Sequence, residues 1–303
     1  MKPIDTKIKD LMKLNPSRWL MNVFVDWFLI GLVFYQARYF NNLISYGFAI
    51  FILGSLQHAI GILGHDGAHR RISKNKFIND QLTTYLCLAP LMMPFKLYQD
   101  FHFSHHRFTG TENDGEMEYK KSLAPHWDLP IKRFYIYKNL ILDYLGFGIP
   151  IVFKMAKSTD EATLKDKIPM FLFWIPVASL CYFTSNLWIL LIWFTAMGTS
   201  FWAAFRFRLW AEHMGTSITH RYQSTFIQRL LWLPHNIDIH WEHHKYPSVP
   251  FWNLKKLRNL LLEEKPIIPL KTIFKELESK PPIPSGTILE KEIDEPIILD
   301  DAA

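Results

Sequence analysis

Four apolar runs, each close to the length of a membrane-crossing helix, set the strongest limit on how this chain of 303 residues can fold. About 20 helical residues cross a hydrocarbon core that is about 30 Å thick. The runs occupy residues 19–35, 43–63, 168–183 and 187–205. Only short polar linkers separate the two members of each pair, so the sequence predicts two helical hairpins. The predicted fold class is therefore an all-α integral membrane protein with four transmembrane helices.

The distribution of charge predicts how these hairpins are oriented. Basic residues crowd the chain before residue 19 and after residue 205, whereas the two hairpin linkers hold one arginine, Arg38. The positive-inside bias therefore places both chain ends on the cytoplasmic side. Asp26 lies inside the first run, and a carboxylate there is costly unless it faces protein or water. We expect Asp26 to face the protein or a water-lined surface.

Two further stretches, 77–98 and 134–153, are apolar but are broken by proline, glycine or charge. We expect both to be re-entrant or interfacial helices, and we expect residues 251–264 to form a helix that lies in the interface.

The predicted organisation is a cytosolic N-terminal segment, 1–18, without a cleavable signal, followed by a membrane domain, 19–279. Residues 280–303 are rich in proline and acid, which predicts an extended or disordered tail.

Composition excludes several classes of protein. Hydrophobic residues make up 49% of the chain and charged residues 20%, which is not the composition of a disordered chain. The net charge of +6 is spread along the polar segments, so no nucleic-acid partner is predicted. The two cysteines, Cys87 and Cys181, lie in apolar stretches and form no CxxC pair. A disulfide framework and a cysteine-held metal are therefore excluded, and any metal must have other ligands.

Nine of the thirteen histidines fall in a pattern that indicates metal ligands. Their spacings of three and four residues place the imidazoles of each group on one face of a helix, at the cytosolic end of a span. These groups predict a histidine-rich cytosolic cap. The candidate ligands are His65, His69, His102, His105, His106, His213, His240, His243 and His244.

Nine imidazoles exceed what one metal ion needs, so the set predicts two ions. Imidazole suits iron, copper, zinc and nickel and does not choose among them. The chain has no Glu-x-x-His pair, which excludes a soluble ferritin-like site, and no His-Glu-x-x-His, which disfavours a zinc protease. The alternative is that these histidines are merely polar residues at helix ends. Three clustered groups disfavour it, because crowded imidazoles need partners that a metal supplies.

The other four histidines, His58, His126, His220 and His235, are not predicted to be ligands, because each stands alone in an apolar helix or a polar loop. Metal-bound imidazoles usually donate their second N–H to a carboxylate or carbonyl. The polar neighbours that could accept it, or that could be ordinary solvated or capping residues, are Asp66, Asp114, Glu116, Glu212, Asn236 and Asp238.

The amino-acid sequence of these segments resembles that of the membrane fatty acid desaturase family, whose hallmark is three histidine boxes. His-Asp-Gly-Ala-His at 65–69, His-Phe-Ser-His-His at 102–106 and His-Trp-Glu-His-His at 240–244 are similar to those boxes, and the flanks match as well. The Ala-Glu-His triplet at 211–213 resembles an extra histidine found before the last box in several members. The resemblance covers residues 43–260.

This resemblance implies a helical membrane protein whose cytosolic cap holds two irons, which use dioxygen and two external electrons to attack an unactivated carbon. The chain has no His-Pro-Gly-Gly haem box and no nucleotide-binding glycine loop. A separate ferredoxin or small cytochrome is therefore the expected electron donor. A basic cytosolic face is a candidate for its docking site, and a face towards lipid headgroups is the alternative. Its residues are Arg107, Lys245, Lys255, Lys256 and Arg258.

The leading functional hypothesis is a desaturase that acts on the acyl chain of a lipid or an acyl thioester, because the third box with its Tyr-Pro-Ser-Val-Pro flank resembles that branch. The runner-up is a hydroxylase or ketolase of a lipid or carotenoid with the same di-iron site. A non-catalytic metal- or haem-binding membrane protein is the alternative of another class. It is disfavoured because the histidines lie at span ends and not at the midplane. A bacterial inner membrane is favoured over the endoplasmic reticulum.

Overall fold

The computed structural model describes residues 3–111, 113–115, 127–158 and 162–281, and within these residues the chain is mostly helical and has almost no strand. The predicted tail, 280–303, therefore lies outside the described residues from 282 onward, as do Glu116 and His126. The first five helices are α1 Pro3–Leu11, α2 Pro16–Phe40, α3 Leu43–Ala68, α4 Lys76–Thr83 and α5 Phe95–Phe108. A π-helical turn, Thr84–Leu88, and a 3-10 turn, Ala89–Leu91, follow α4.

The remaining helices are α6 Arg133–Tyr144, α7 Ile149–Ser158, α8 Leu164–Phe183, α9 Trp188–Ala196, α10 Trp202–His213, α11 Phe226–Leu231, α12 His240–Lys245, α13 Leu254–Leu260 and α14 Leu270–Glu276. A π-helical turn, Met197–Phe201, joins α9 to α10, and a 3-10 turn, Phe251–Asn253, precedes α13. One departure from an all-helical chain is a parallel pair of two-residue strands, β1 Tyr222–Gln223 and β2 Ile268–Pro269.

Four helical segments are long and apolar enough to cross a membrane, as the sequence predicts: α2, α3, α8 and the continuous α9–α10 segment, Trp188–His213. The first two form a hairpin whose linker is only Asn41 and Asn42, because Arg38 lies in the last turn of α2. Asn41 ends α2 in the left-handed conformation, and Asn42 caps α3 by accepting a hydrogen bond from the Ser45 N–H. These caps make the tight reversal possible.

The segment between α3 and α5 enters the helical bundle and returns without crossing it. Three indole N–H groups donate to its carbonyls: Trp27 to Leu86, Trp174 to Ala89 and Trp193 to Pro90. The start and the end of the segment lie together, because His69 and His102 have ring nitrogens 2.8 Å apart. The segment is thus packed against three of the four apolar helices, and the expectation of a re-entrant or interfacial helix at 77–98 stays a prediction.

The two hairpins pack closely where α3 meets the π-helical turn before α10. A Cβ atom on Gly54 would lie 2.2 Å from the backbone nitrogen of Phe201 and 2.4 Å from the carbonyl carbon of Ser200. No side chain larger than hydrogen fits there. The Ser200 hydroxyl also donates to the Ile50 carbonyl, so the contact is fixed by a hydrogen bond.

The helix expected to lie in the interface at 251–264 has its apolar face covered by protein instead. Leu254, Leu257 and Leu261 are at most 2% exposed and belong to a core that includes Trp19 and Leu63. The amphipathic pattern that suggested membrane contact reflects packing of α13 against α1, α12 and the end of α3. This helix therefore closes the core next to the third histidine box.

Candidate metal centre

The first histidine box is fixed at the end of α3. His65 lies in the last turn of the helix, and His69 is the residue that caps it. Two buried amides hold this end in place: Asn79 donates to the Gly67 carbonyl at 2.8 Å, and Gln99 donates to the Ala68 carbonyl at 2.8 Å. The carbonyls left free at a helix end thus have partners, and both imidazoles are held in a defined direction.

The other histidines come from three separate helices. The second box lies in the last two turns of α5, the third box forms α12, and His213 is the last residue of α10. The helical spacing places the three imidazoles of each box on one side of its helix, as predicted. The structure brings all nine candidate ligands together, although they come from four distant parts of the sequence.

The nine histidines divide into two sets, which we call the five-histidine cluster and the four-histidine cluster. Within each set, one ring nitrogen per residue lies within 4.8 Å of those of the others. The five-histidine cluster consists of His65, His69, His102, His106 and His243. The four-histidine cluster consists of His105, His213, His240 and His244. The second box and the third box each contribute to both clusters.

The Nε2 atoms in the five-histidine cluster are too crowded to be explained by hydrogen bonds alone. His102 Nε2 lies 2.8 Å from His69 Nε2 and 3.1 Å from His106 Nε2, and His106 Nε2 lies 3.0 Å from His243 Nε2. A ring nitrogen carries either one proton or one lone pair, so one Nε2 atom cannot make both contacts as hydrogen bonds. A cation that accepts all the lone pairs explains this convergence.

The four-histidine cluster shows the same spacing. His240 Nε2 lies 3.0 Å from His213 Nε2 and 3.0 Å from His244 Nε2. Two imidazole nitrogens that bind one metal at about 2.1 Å and at right angles would lie about 3.0 Å apart. The nitrogens in both clusters therefore fit a metal ion at each centre.

Burial keeps these imidazoles in the form that binds metal. His102, His240, His243 and His244 are at most 7% exposed. Desolvation, followed by the proximity of the other histidines, lowers the pKa of each of these four rings well below 6.5. Neutral imidazole is the ligand form, so the sites do not depend on deprotonation at neutral pH.

Two of the predicted carboxylates lie against the four-histidine cluster. Asp114 Oδ1 is 3.1 Å from His105 Nδ1, and its Oδ2 accepts a hydrogen bond from the Gly110 N–H. Glu212 Oε2 is 3.4 Å from His240 Nε2, and the Arg208 Nε–H lies 2.9 Å from both oxygens of the same carboxylate. Both carboxylates are buried. Asp114 is in position to orient His105 through its Nδ1. Glu212 instead faces His240 Nε2, the nitrogen that converges with those of His213 and His244, so its carboxylate lies beside the position of an ion.

The other polar candidates lie in different places. Asp66 Oδ1 is 3.9 Å from His65 Nδ1, while its Oδ2 accepts a hydrogen bond from the Phe251 N–H. Asn236 donates to the Phe251 carbonyl, and Asp238 accepts a hydrogen bond from the Ser224 hydroxyl. Asn236 and Asp238 thus fix the loop that leads into the third box, one step away from the rings. Glu116 lies outside the described residues.

Sequence reasoning missed a buried ion cluster inside the third box. The Glu242 carboxylate is fully buried and accepts hydrogen bonds from Arg221 Nε at 2.7 Å and from Arg258 Nε at 2.9 Å. Glu242 lies between the ligand positions 240 and 243, on the opposite side of α12 from the rings. The available signal in the sequence was the place of Glu242 between two ligand positions. A carboxylate enclosed there needs cationic partners.

This ion cluster corrects the expected basic face. Arg258 is bound to Glu242, and Lys245 pairs with Glu264 and lies over the Trp241 ring. Neither is available as a free docking charge. Arg107, Lys255 and Lys256 are exposed, so three of the five predicted residues keep that possibility.

Comparison with known proteins agrees with this geometry. The family model described as fatty acid desaturase matches residues 41–269, which include all nine histidines. This chain belongs to the fatty acid desaturase family. It is thus an oxidoreductase of that family, and the family together with the two histidine clusters suggests a di-iron centre.

Individual relatives in the family are distant in sequence. The chain is 27% identical to dihydrorhizobitoxine desaturase of Bradyrhizobium elkanii over 72% of this chain and 68% of that protein. It is 28% identical to an sn-1 acyl-lipid omega-3 desaturase (ferredoxin) of Nostoc sp. over 41% of this chain and 35% of that protein. It is 21% identical to an sn-1 oleoyl-lipid 12-desaturase of Picosynechococcus sp. over 68% of this chain and 66% of that protein.

Proposed function

We propose that this protein is a dioxygen-dependent, di-iron enzyme that introduces a double bond into a fatty acyl chain of a lipid or an acyl thioester. The observation that carries the proposal is the convergence of nine imidazoles into two touching clusters, in a chain of the fatty acid desaturase family. The substrate class is supported by the relatives whose names specify acyl lipids and by the four apolar helices.

In this proposal the five-histidine cluster holds one iron and the four-histidine cluster holds the other. Asp114 orients His105 through its Nδ1, and the Glu212 carboxylate would lie beside the iron at His240 Nε2. The irons would couple the reduction of one dioxygen to two waters with the removal of two hydrogens from adjacent methylenes, using two donor electrons and two protons.

The protein itself contributes rigidity and exclusion of water. All members of the four-histidine cluster are buried, whereas His69 and His106 of the five-histidine cluster are partly exposed. Burial protects a strong oxidant from side reactions, and a fixed geometry decides which carbon–hydrogen bond reacts. We propose that access to the centre lies on the side of His69 and His106.

We also propose that the electrons come from a separate ferredoxin or small cytochrome. The name of the Nostoc relative specifies ferredoxin. Arg107, Lys255 and Lys256 are exposed cations that suit an acidic donor. The proposed location is a bacterial inner membrane, which the bacterial relatives support. The metal centre is proposed to lie on the cytoplasmic face because basic residues flank the polar ends of the spans.

Fatty-acid analysis after expression in a bacterial host with simple lipids tests the proposal. The chain is expressed with a ferredoxin and its reductase, beside a His105→Ala variant as the inactive control. A new fatty acid that is lighter by two hydrogens, present only with the unchanged chain, is the expected result. A product heavier by one oxygen would instead assign a hydroxylase or ketolase. No new product, with iron bound and the donor present, would contradict the proposal.

A further inference from the structure

A basic cavity lies next to the metal centre, outside the histidine clusters. Its volume is about 400 Å³, and it opens at the N-terminal end of α2. Phe251 is one of its walls, and the Phe251 N–H donates to Asp66, the neighbour of His65. The lining residues used below are Arg18, Asn22, Arg229, His235, Phe251 and Lys255.

The charge of this cavity is suited to an anion. Arg18, Arg229 and Lys255 contribute three cations, and none of the described residues that line the cavity is acidic. The nearby carboxylates are already engaged. Asp26 Oδ2 is 2.7 Å from His235 Nε2. Asp238 Oδ2 accepts a hydrogen bond from the Ser224 hydroxyl and lies 3.8 Å from Arg229 Nη1, so it balances part of the charge of Arg229. The cationic charge of the cavity is thus only partly balanced within the protein.

The floor of the cavity is held in an unusual backbone conformation. His235 and Asn236 have φ angles of 52° and 58°. These angles lie in the left-handed region, which residues other than glycine adopt uncommonly. Their side chains are tied down, His235 to Asp26 and Asn236 to the Phe251 carbonyl. Such strain persists where surrounding contacts impose it. The cavity is therefore a preformed feature.

The mouth of the cavity lies where lipid headgroups are expected. The Trp19 indole, next to Arg18, donates to the Leu63 carbonyl, so Arg18 lies at the polar end of the first hairpin. Exposed apolar side chains flank the cationic residues in sequence on two helices: Leu20 and Met21 on α2, and Phe226, Ile227 and Leu230 on α11. Cations next to a lipid-facing apolar surface are typical of headgroup binding.

We propose that this cavity binds the phosphate headgroup of a membrane phospholipid and thereby selects phospholipids, over lipids with uncharged headgroups, as carriers of the reacting acyl chain. This inference rests on the proposed function for the fate of the acyl chain, but headgroup binding is measurable without turnover. Exposed arginine and lysine supply the charge, and the fixed wall at Phe251 places the headgroup one contact from the first histidine box.

Lipid binding by the iron-loaded full-length chain in an uncharged detergent tests this site. Native mass spectrometry measures the affinity for phosphatidylglycerol and for a monogalactolipid with the same acyl chains. The test variant is R18Q/K255Q, which removes two exposed cations of the cavity, and R229Q is a second, independent variant. The matched control is K74Q/K76Q, which removes two exposed lysines that do not line the cavity.

The expected result is preferential binding of phosphatidylglycerol, weakened about tenfold or more in R18Q/K255Q and weakened in R229Q, with the K74Q/K76Q control unchanged. Equal affinity for the two lipids, or unchanged binding in both cavity variants with iron content intact, would overturn the inference. Complete displacement of the lipid by millimolar inorganic phosphate would also overturn it, because the site would then recognise a free anion. A chain that desaturates only galactolipids would refute the inference and leave the proposed function standing.

Discussion

The imidazole of His106 stacks on the imidazole of His244, with ring centroids 4.2 Å apart and planes 22° from parallel. The two residues belong to different clusters, since His106 is in the five-histidine cluster and His244 in the four-histidine cluster. His105 and His106, adjacent in sequence, are likewise divided between the clusters. The two proposed metal positions are therefore adjacent, and imidazoles of one cluster pack against imidazoles of the other.

Removing one ligand from the four-histidine cluster should leave one iron bound and abolish turnover. We expect His213→Ala and His240→Ala each to reduce the iron content from two per chain to about one, because each variant leaves only three imidazoles in that cluster. Metal analysis of the purified variants by mass spectrometry measures this. His220→Gln is the control, because His220 Nε2 is bonded to the Met214 carbonyl and lies outside both clusters. Two irons retained in both alanine variants would refute the ligand assignment.

Asp114 should control how tightly iron is held in the four-histidine cluster. We expect Asp114→Asn to weaken iron affinity by about 10- to 100-fold, because the carboxylate that accepts from His105 Nδ1 loses its charge. Iron release during titration with a chelator measures the effect. Asp100→Asn is the matched control, since Asp100 lies on α5, the helix that carries His105, and pairs with Lys96 at the surface. Equal release rates in the two variants would show that Asp114 has no orienting role.

The close contact between the hairpins should depend on Gly54. We expect Gly54→Ala to lower the free energy of unfolding by about 1–3 kcal/mol, because the new methyl group would meet the backbone of Ser200 and Phe201. Gly47→Ala is a control on the same helix, where a Cβ atom has nothing within 4 Å and alanine favours helix. Thermal unfolding in detergent compares the two. Equal stability of both variants would contradict the predicted backbone contact.

The pair formed by Asp26 and His235 should couple the first span to the third box. We expect a double-mutant cycle with Asp26→Ala and His235→Ala to give a coupling energy of about 1–3 kcal/mol, since both side chains are largely buried. The comparison cycle uses Arg133→Ala and Glu278→Ala, an exposed ion pair for which a smaller coupling is expected because solvent screens the two charges. Thermal unfolding supplies the energies. A coupling energy no larger than that of the surface pair would contradict the predicted coupling between Asp26 and His235.

The sequence predicted the parts of this fold that depend on local spacing. Apolar runs specify four spans, and intervals of three and four residues place the imidazoles of each box on one helix face. It was also predictable that the two ends of the segment between α3 and α5 lie together, because both ends carry histidine boxes that need a common site.

Contacts between distant segments were not predictable in the same way. His235 is 209 residues from Asp26, so neither residue signals its partner, although a carboxylate inside a span requires one. The division of one box between two clusters depends on how α5 and α12 face each other, which no local pattern records. The leucines of α13 repeat as they would on a membrane surface, and only the tertiary structure shows that protein covers them.

Iron analysis combined with Mössbauer spectroscopy of the full-length chain, loaded with isotopically enriched iron, tests the central claim most directly. The account predicts two irons per chain in two inequivalent environments, because one cluster offers five imidazoles and the other four. It also predicts that the spectrum of His240→Ala loses one of the two components. A single iron in the unchanged chain, or a haem absorption band in place of two non-haem irons, would contradict it.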